Sequence, residues 1–135
     1  MIAQNELRIG NFILIDHVPH KICLINNDSN SADASFIGYE HEGKTNNVSC
    51  GSAQLKPVPL TDKVLQQCGF TYQDYFKFWQ KAESVNGERT EMDIDRDYNL
   101  IDFMRRPIVK SIVSLHQLQN LYFSLKGTEI GFKEI

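Results

Sequence analysis

The sequence predicts an α+β protein, with a β-rich N-terminal part followed by a small antiparallel sheet and two helices. Three observations lead there. Short β-branched and aromatic runs alternate with clusters of Gly, Pro, Asn, Asp and Ser through residues 1–58, the pattern of strands joined by turns. Two segments, Thr61 to Gly69 and Ser114 to Gly127, each carry a helix start and a helix stop. Between those segments the alternation and the aromatics return.

Phe12 to Asp16 and His20 to Asn26 form the clearest strands, separated by the turn-like His17-Val18-Pro19, and predict a hairpin. A polar loop from Asn26 to Asp33 leads to a third strand, Ala34 to Tyr39, then a turn at Glu42-Gly43-Lys44 and a fourth strand, Asn46 to Cys50. Leu55 to Val58 makes a fifth. In the first two strands both alternating sets are apolar, so each is expected to be covered on both faces. With Gly10 at the entry, these short strands predict a small SH3-like β-barrel or meander over residues 1–58, packed on the second half.

Pro57 and Pro59 mark the boundary, because proline supplies no ladder donor and restricts the residue before it. A second subdomain over 59–135 follows. Thr61 suits an N-cap, Asp62 complements the positive helix start, Leu60 can staple onto Leu65, and Gly69 can take the left-handed conformation that ends a helix. Tyr75 to Gln80, Arg89 to Asp97 and Leu100 to Met104 then predict three strands, with Ser84 to Gly87 as a turn. Arg105-Arg106-Pro107 breaks the run before a further strand at Ile108 to Val113. The helix Leu115 to Lys126 has the most complete local signals: Ser114 and Gln117 form a capping box, Val113 can staple onto Leu118, and Gly127 ends it. Leu115, Leu118, Leu121, Tyr122 and Leu125 fall on one stripe, expected to face the core. Glu129 to Ile135 fits a final short strand.

A chain of 135 residues, 41% hydrophobic and 23% charged, belongs with ordinary globular proteins rather than disordered ones. The net charge of −3 is spread evenly, with four Lys/Arg against six Asp/Glu in residues 1–60 and ten against eleven in 61–135. A duplex-binding surface needs a basic face, so a protein partner is favoured over nucleic acid. Cys23, Cys50 and Cys68 form no C-x-x-C pair and are expected to be reduced, packed thiols. The opening lacks a basic stretch followed by a long apolar run, and the longest aliphatic runs are four residues. We therefore expect a cytoplasmic protein without a membrane span.

Several constellations were weighed for chemistry. Asp93, Asp95 and Asp97 begin like a calcium loop, but Tyr98 stands where such a loop needs Gly and Met104 where it needs Glu. Alternation with Met92, Ile94, Arg96 and Tyr98 makes them the acidic solvent face of a strand in preference to another divalent-ion site. Asp16, His17 and His20 could form a metal site with His41 or Cys50; a solvated hairpin end is the simpler account. Arg105 and Arg106 fit turn and surface positions better than a phosphate clamp. A Cys nucleophile paired with His116 is not specified by any spacing, and no hydrolase, zincin, phosphate-loop or dinucleotide motif occurs. No catalytic residue, metal ligand or cofactor is assigned. On the last helix His116, Asn120 and Phe123 lie together away from the leucine stripe. They form either a binding patch or a packed set in which His116 and Asn120 satisfy neighbouring backbone groups.

Asn5-Glu6-Leu7-Arg8-Ile9-Gly10-Asn11 near the start, Pro57-Val58-Pro59-Leu60-Thr61 and Cys68-Gly69-Phe70 in the middle, and Leu115 to Leu125 with Gly127 near the end carry a resemblance. In that order of blocks the chain resembles a family of short uncharacterised proteins from gut bacteria and their phages. The resemblance implies a bacterial or phage cytoplasm, supplies no activity, cofactor or catalytic residue, and favours a contact role for His116, Gln117, Gln119 and Asn120. The expected function is a non-enzymatic binding or adaptor module of phage or mobile-element origin. The alternative is a small metal-dependent hydrolase or nuclease using Asp93 and Asp95.

Overall fold

The computed structural model describes residues 6–26, 35–85 and 87–133. The protein is α+β, with two five-stranded antiparallel sheets and two helices among the described residues. Its chain divides into two units, one formed by Met1–Pro59 with Ser114–Glu129 and the other by Leu60–Val113 with Ile130–Ile135. One division between the units falls between Pro59 and Leu60. The C-terminal helix, grouped by its sequence position with residues 59–135, belongs instead to the first unit, because its capping and side-chain bonds run to the N-terminal segments.

In the first unit, β1 (Phe12–Ile15) and β2 (Val18–Asn26) meet in a hairpin whose loop is only Asp16-His17, both at positive φ (51° and 68°). Two left-handed residues give the turn whose twist matches that of the strands. Pro19 therefore falls inside β2 rather than in the turn. Ile15 and Val18 close the hairpin, so the next pair, Leu14 with Pro19, sits at a non-hydrogen-bonded step where a missing N–H costs no ladder bond. β3 (Phe36–His41) and β4 (Lys44–Ser49) repeat the device, with Glu42 and Gly43 at φ 53° and 76°. β5 (Leu55–Pro57) returns beside β1, giving the order β4-β3-β2-β1-β5. The polar loop expected before β3 lies mostly outside the described residues.

This sheet does not close into a barrel: among the described residues β4 and β5 remain its two edges. β5 is three residues long and ends on a proline without a donor, while β4 opens with the exposed polar run Lys44-Thr45-Asn46-Asn47. Nor are β1 and β2 covered on both faces. Ile13, Ile15, Ile22, Ile37, Val48 and Leu55 are buried with Leu7 and Cys50, whereas Cys23 and Leu24 are exposed.

The second unit begins with α1 (Asp62–Gln67), where the Thr61 hydroxyl accepts the Val64 N–H at 3.2 Å. Gly69, at φ 90°, ends the helix and lets the Phe70 N–H return to the Leu65 carbonyl at 3.0 Å. β6 (Thr71–Gln73), β7 (Phe78–Val85), β8 (Glu88–Asp95), β9 (Leu100–Ile101) and β10 (Pro107–Val109) follow in the order β10-β9-β8-β7-β6. Trp79, Met92, Ile94, Leu100 and Ile101 are its buried sheet residues. The described tail through Lys133 contains no strand; Lys133 instead exchanges hydrogen bonds of 3.0 Å with Gln67 of α1.

α2 (Leu115–Lys126) packs against β1 in the first unit. Ser114 Oγ accepts the Gln117 N–H, and Gly127, at φ 75°, donates to the Phe123 carbonyl, so the start and stop signals both act as the sequence predicts. Its buried face is nonetheless rotated from the leucine stripe. Leu115, Leu118 and Tyr122 are buried together with His116 and Gln119, while Leu125 is 57% exposed. Val113, expected as a staple, is exposed as well. No helix among the described residues is long and apolar enough to cross a membrane.

Candidate functional site

Each unit gathers chemistry-bearing side chains in one place. In the first, the chain ahead of β1 meets α2 through a polar network. Gln119 is buried, with Oε1 accepting the Phe12 N–H at 2.8 Å and Nε2 donating to the Gly10 carbonyl at 3.0 Å. Asn120 Oδ1 accepts from Asn11 Nδ2 at 2.9 Å and from Arg8 Nε at 3.1 Å, and its Nδ2 donates to the Glu6 carbonyl at 2.8 Å. Arg8 forks onto both carboxylate oxygens of Glu129, and its guanidinium lies 4.5 Å from the centre of the Phe123 ring. Charge-assisted, two-pronged contacts of this kind fix direction as well as energy.

His116 is 2% exposed, with Nε2 3.4 Å from Glu6 Oε2 and no partner for Nδ1 among the described residues. Burial holds its pKa below the usual histidine value, and the Glu6 carboxylate opposes that shift. Thus His116, Asn120 and Phe123 do lie close to one another's partners, but His116 is not presented to solvent and all three of the Asn120 amide contacts are internal. Residues 6–11 and the helix α2 are the two sides of this joint. Asn5 lies outside the described residues.

The acidic run on β8 resolves into separate structural duties. Asp95 Oδ1 accepts the N–H groups of Asp97 and Asn99 at 2.9 and 3.0 Å, and Oδ2 accepts Asn99 Nδ2 at 3.0 Å. Asp93 accepts from Gln80 Nε2 at 3.2 Å. The His20 ring lies tilted against Tyr39, centres 4.8 Å apart, and edge-to-face with His41 at 5.4 Å. Among the described residues no group of three or more His, Cys, Asp or Glu stands where it could hold a metal ion. Burial pushes the Cys50 thiol up and the Cys68 thiol up to about 12, so neither supplies a thiolate at neutral pH. Asp102 accepts both the N–H and the Nε of Arg106, while Arg105 stacks 4.9 Å from the Phe76 ring centre.

The second unit also contains a cavity of about 590 Å³ lined by Asp62, Tyr72, Trp79, Arg96 and Tyr98. Register builds one wall: Tyr72 and Trp79 are cross-strand partners, their rings edge-to-face with centres 5.2 Å apart. The loop after β8 builds another. Asp95 organises that loop, which carries Arg96, and Tyr98 takes φ 60° so that its hydroxyl donates to Asp62 Oδ1 at 2.7 Å. That bond to a carboxylate raises the Tyr98 pKa and keeps the phenol protonated. Arg96 makes no salt bridge among the described residues. The concavity is open, with aromatic walls, one carboxylate committed to Tyr98 and one guanidinium that has no ion pair among the described residues.

Comparison of the chain with protein-family models, curated proteins and solved structures gave no match.

Sequence reasoning did not single out the cavity. Tyr72, Trp79 and Arg96 become neighbours only once the β6–β7 register and the loop after β8 are known. The local signal that did exist was Asp95 two residues before Asp97 and four before Asn99, a spacing that suits a side chain capping its own turn.

Proposed function

We propose that the protein is a non-enzymatic binding module whose ligand site is the cavity lined by Tyr72, Trp79, Tyr98, Arg96 and Asp62. The observation that carries this reading is the convergence of three aromatic side chains and an unpaired arginine on one concavity. The Tyr98 hydroxyl, bonded to Asp62, is held as a hydrogen-bond donor. In this reading His116, Asn120 and Phe123 serve the joint between α2 and the chain before β1 rather than a partner's surface. The first sheet, with β5 folded back beside β1, is an SH3-like arrangement that stops short of closure. The resemblance of the terminal blocks supports a bacterial or phage cytoplasm as its setting.

The test is a thermal-shift screen against small polar aromatic, anionic and zwitterionic metabolites. A compound that binds only the folded form raises the melting temperature, and Tyr72→Ala with Tyr98→Ala should abolish the shift. A panel that leaves the transition unmoved refutes the reading. The alternative hydrolase or nuclease has less support, because the Asp95 oxygens are committed to Asp97 and Asn99. Calorimetric heat on adding magnesium, manganese or zinc, lost in Asp93→Asn, would restore it.

A further inference from the structure

The lining of the cavity narrows the ligand, on the premise that the cavity is a binding site. Asp62 and Arg96 place opposite charges on one concavity, and Asp62 already accepts the Tyr98 hydroxyl. The charge left unanswered is therefore positive. A bare ammonium ion would meet Arg96 as well as Asp62, and a purely apolar guest would strip water from a guanidinium, a carboxylate and a phenol without replacing their bonds. The occupant must carry an anionic group for Arg96, a flat face for the aromatic walls, and hydrogen-bond donors for Asp62.

We infer that the cavity takes a mononucleotide. Its base lies against Tyr72 and Tyr98, beside the buried Trp79, its phosphate meets the Arg96 guanidinium, and its ribose hydroxyls or base N–H groups donate to the Asp62 carboxylate. Aromatic faces accept any base, because every base has a π-face, and arginine matches phosphate oxygens two at a time. The volume of about 590 Å³ falls within the range of small-molecule sites, ~300–1,000 Å³. A longer strand is disfavoured by charge. With a net charge of −3 and ten Lys/Arg against eleven Asp/Glu from residue 61 onward, successive phosphates would find no basic track.

Trp79 is the only tryptophan in the chain, so its emission reports on this cavity without labelling. Excited at the red edge of its absorption, the protein is titrated with AMP, GMP, CMP and UMP, with adenosine and guanosine, and with inorganic phosphate and choline. We expect saturable quenching by at least one nucleoside monophosphate, about tenfold weaker for the matching nucleoside. Arg96→Ala should erase that tenfold preference, bringing nucleotide and nucleoside to the same affinity; Asp62→Asn should weaken nucleotide and nucleoside alike. Both variants are checked for an unaltered melting transition, and Arg96→Gln replaces Arg96→Ala if that transition is lost. Equal quenching by nucleoside and nucleotide, or quenching by choline, overturns the nucleotide and leaves the binding site standing. Flat emission with every probe, together with an unmoved thermal-shift panel, overturns both.

Discussion

Gln119 and Phe12 are joined by a 2.8 Å hydrogen bond from the backbone N–H of the strand residue to the side-chain oxygen of the helix residue. The same amide donates to the Gly10 carbonyl, so one side chain supplies the pairing that a neighbouring strand would otherwise give. Gln119→Leu leaves both backbone groups without that partner. We expect a loss of about 2–4 kcal/mol, since each unsatisfied buried group costs roughly 1–3 kcal/mol. Urea unfolding measures it, and a midpoint equal to wild type would show that the joint is not a source of stability.

The rotation of the buried face of α2 separates two leucines that look equivalent in the sequence. Leu118 is fully buried and Leu125 is 57% exposed. Leu118→Ala should cost about 2–5 kcal/mol through lost burial and the cavity left behind, and Leu118→Asp should abolish the cooperative transition. Leu125→Asp should stay within about 0.5 kcal/mol of wild type. Circular dichroism melts of the three variants decide the matter; equal losses at both positions would contradict the observed face.

These contrasts show which parts of the molecule could be read from the sequence. Both helices were legible because Thr61, Gly69, Ser114 and Gly127 act locally, within a turn of where they stand. The order of strands was largely legible for the same reason, turn by turn. What periodicity could not reveal was that the buried side chains of α2 would include Gln119 and His116. An apolar stripe marks greasy positions, but a polar residue is buried when distant backbone groups need it, and those groups, at Gly10 and Phe12, lie more than a hundred positions away. Barrel closure failed on a similar ground, since it depends on edge-to-edge pairing that no local signal in β4 or β5 encodes. The ligand cavity was hidden by register: Tyr72 and Trp79 are informative only as a pair.

His116 gives the protein an acid-sensitive limb. Burial holds its folded-state pKa below the ordinary 6.5, despite the opposing pull of Glu6. Above pH 6.5 both folded and unfolded forms are neutral at this ring, and the stabilising contribution is whole. As the pH falls below that value the unfolded chain takes up a proton that the folded one resists; stability drops until the folded pKa is passed, then levels off. Denaturant midpoints measured from about pH 7.5 down to 5 should fall along this limb. His116→Gln should flatten it, and an unchanged slope in that variant would assign the effect to other groups.

The three thiols should differ in reactivity. Cys23 is exposed, whereas Cys50 and Cys68 are buried with their pKa values raised by burial, Cys68 to about 12. With an aromatic disulfide reagent at pH near 8, one thiol should react in a fast phase and two only as the fold opens. Cys23→Ser should remove the fast phase. Two fast thiols in the native protein would mean that one of the buried sites is accessible.

The first unit is written in two pieces, with residues 60–113 between its sheet and its helix. During synthesis, the strands up to Pro57 therefore leave the ribosome while Gln119 is still untranslated. At roughly 5–20 residues per second the delay is several seconds, long compared with the microseconds in which a hairpin forms. For that interval the Gly10 carbonyl and the Phe12 N–H lack the Gln119 amide that later joins them. The nascent sheet is thus a waiting template, and the last helix to be made is the one that seals the first strand to have formed.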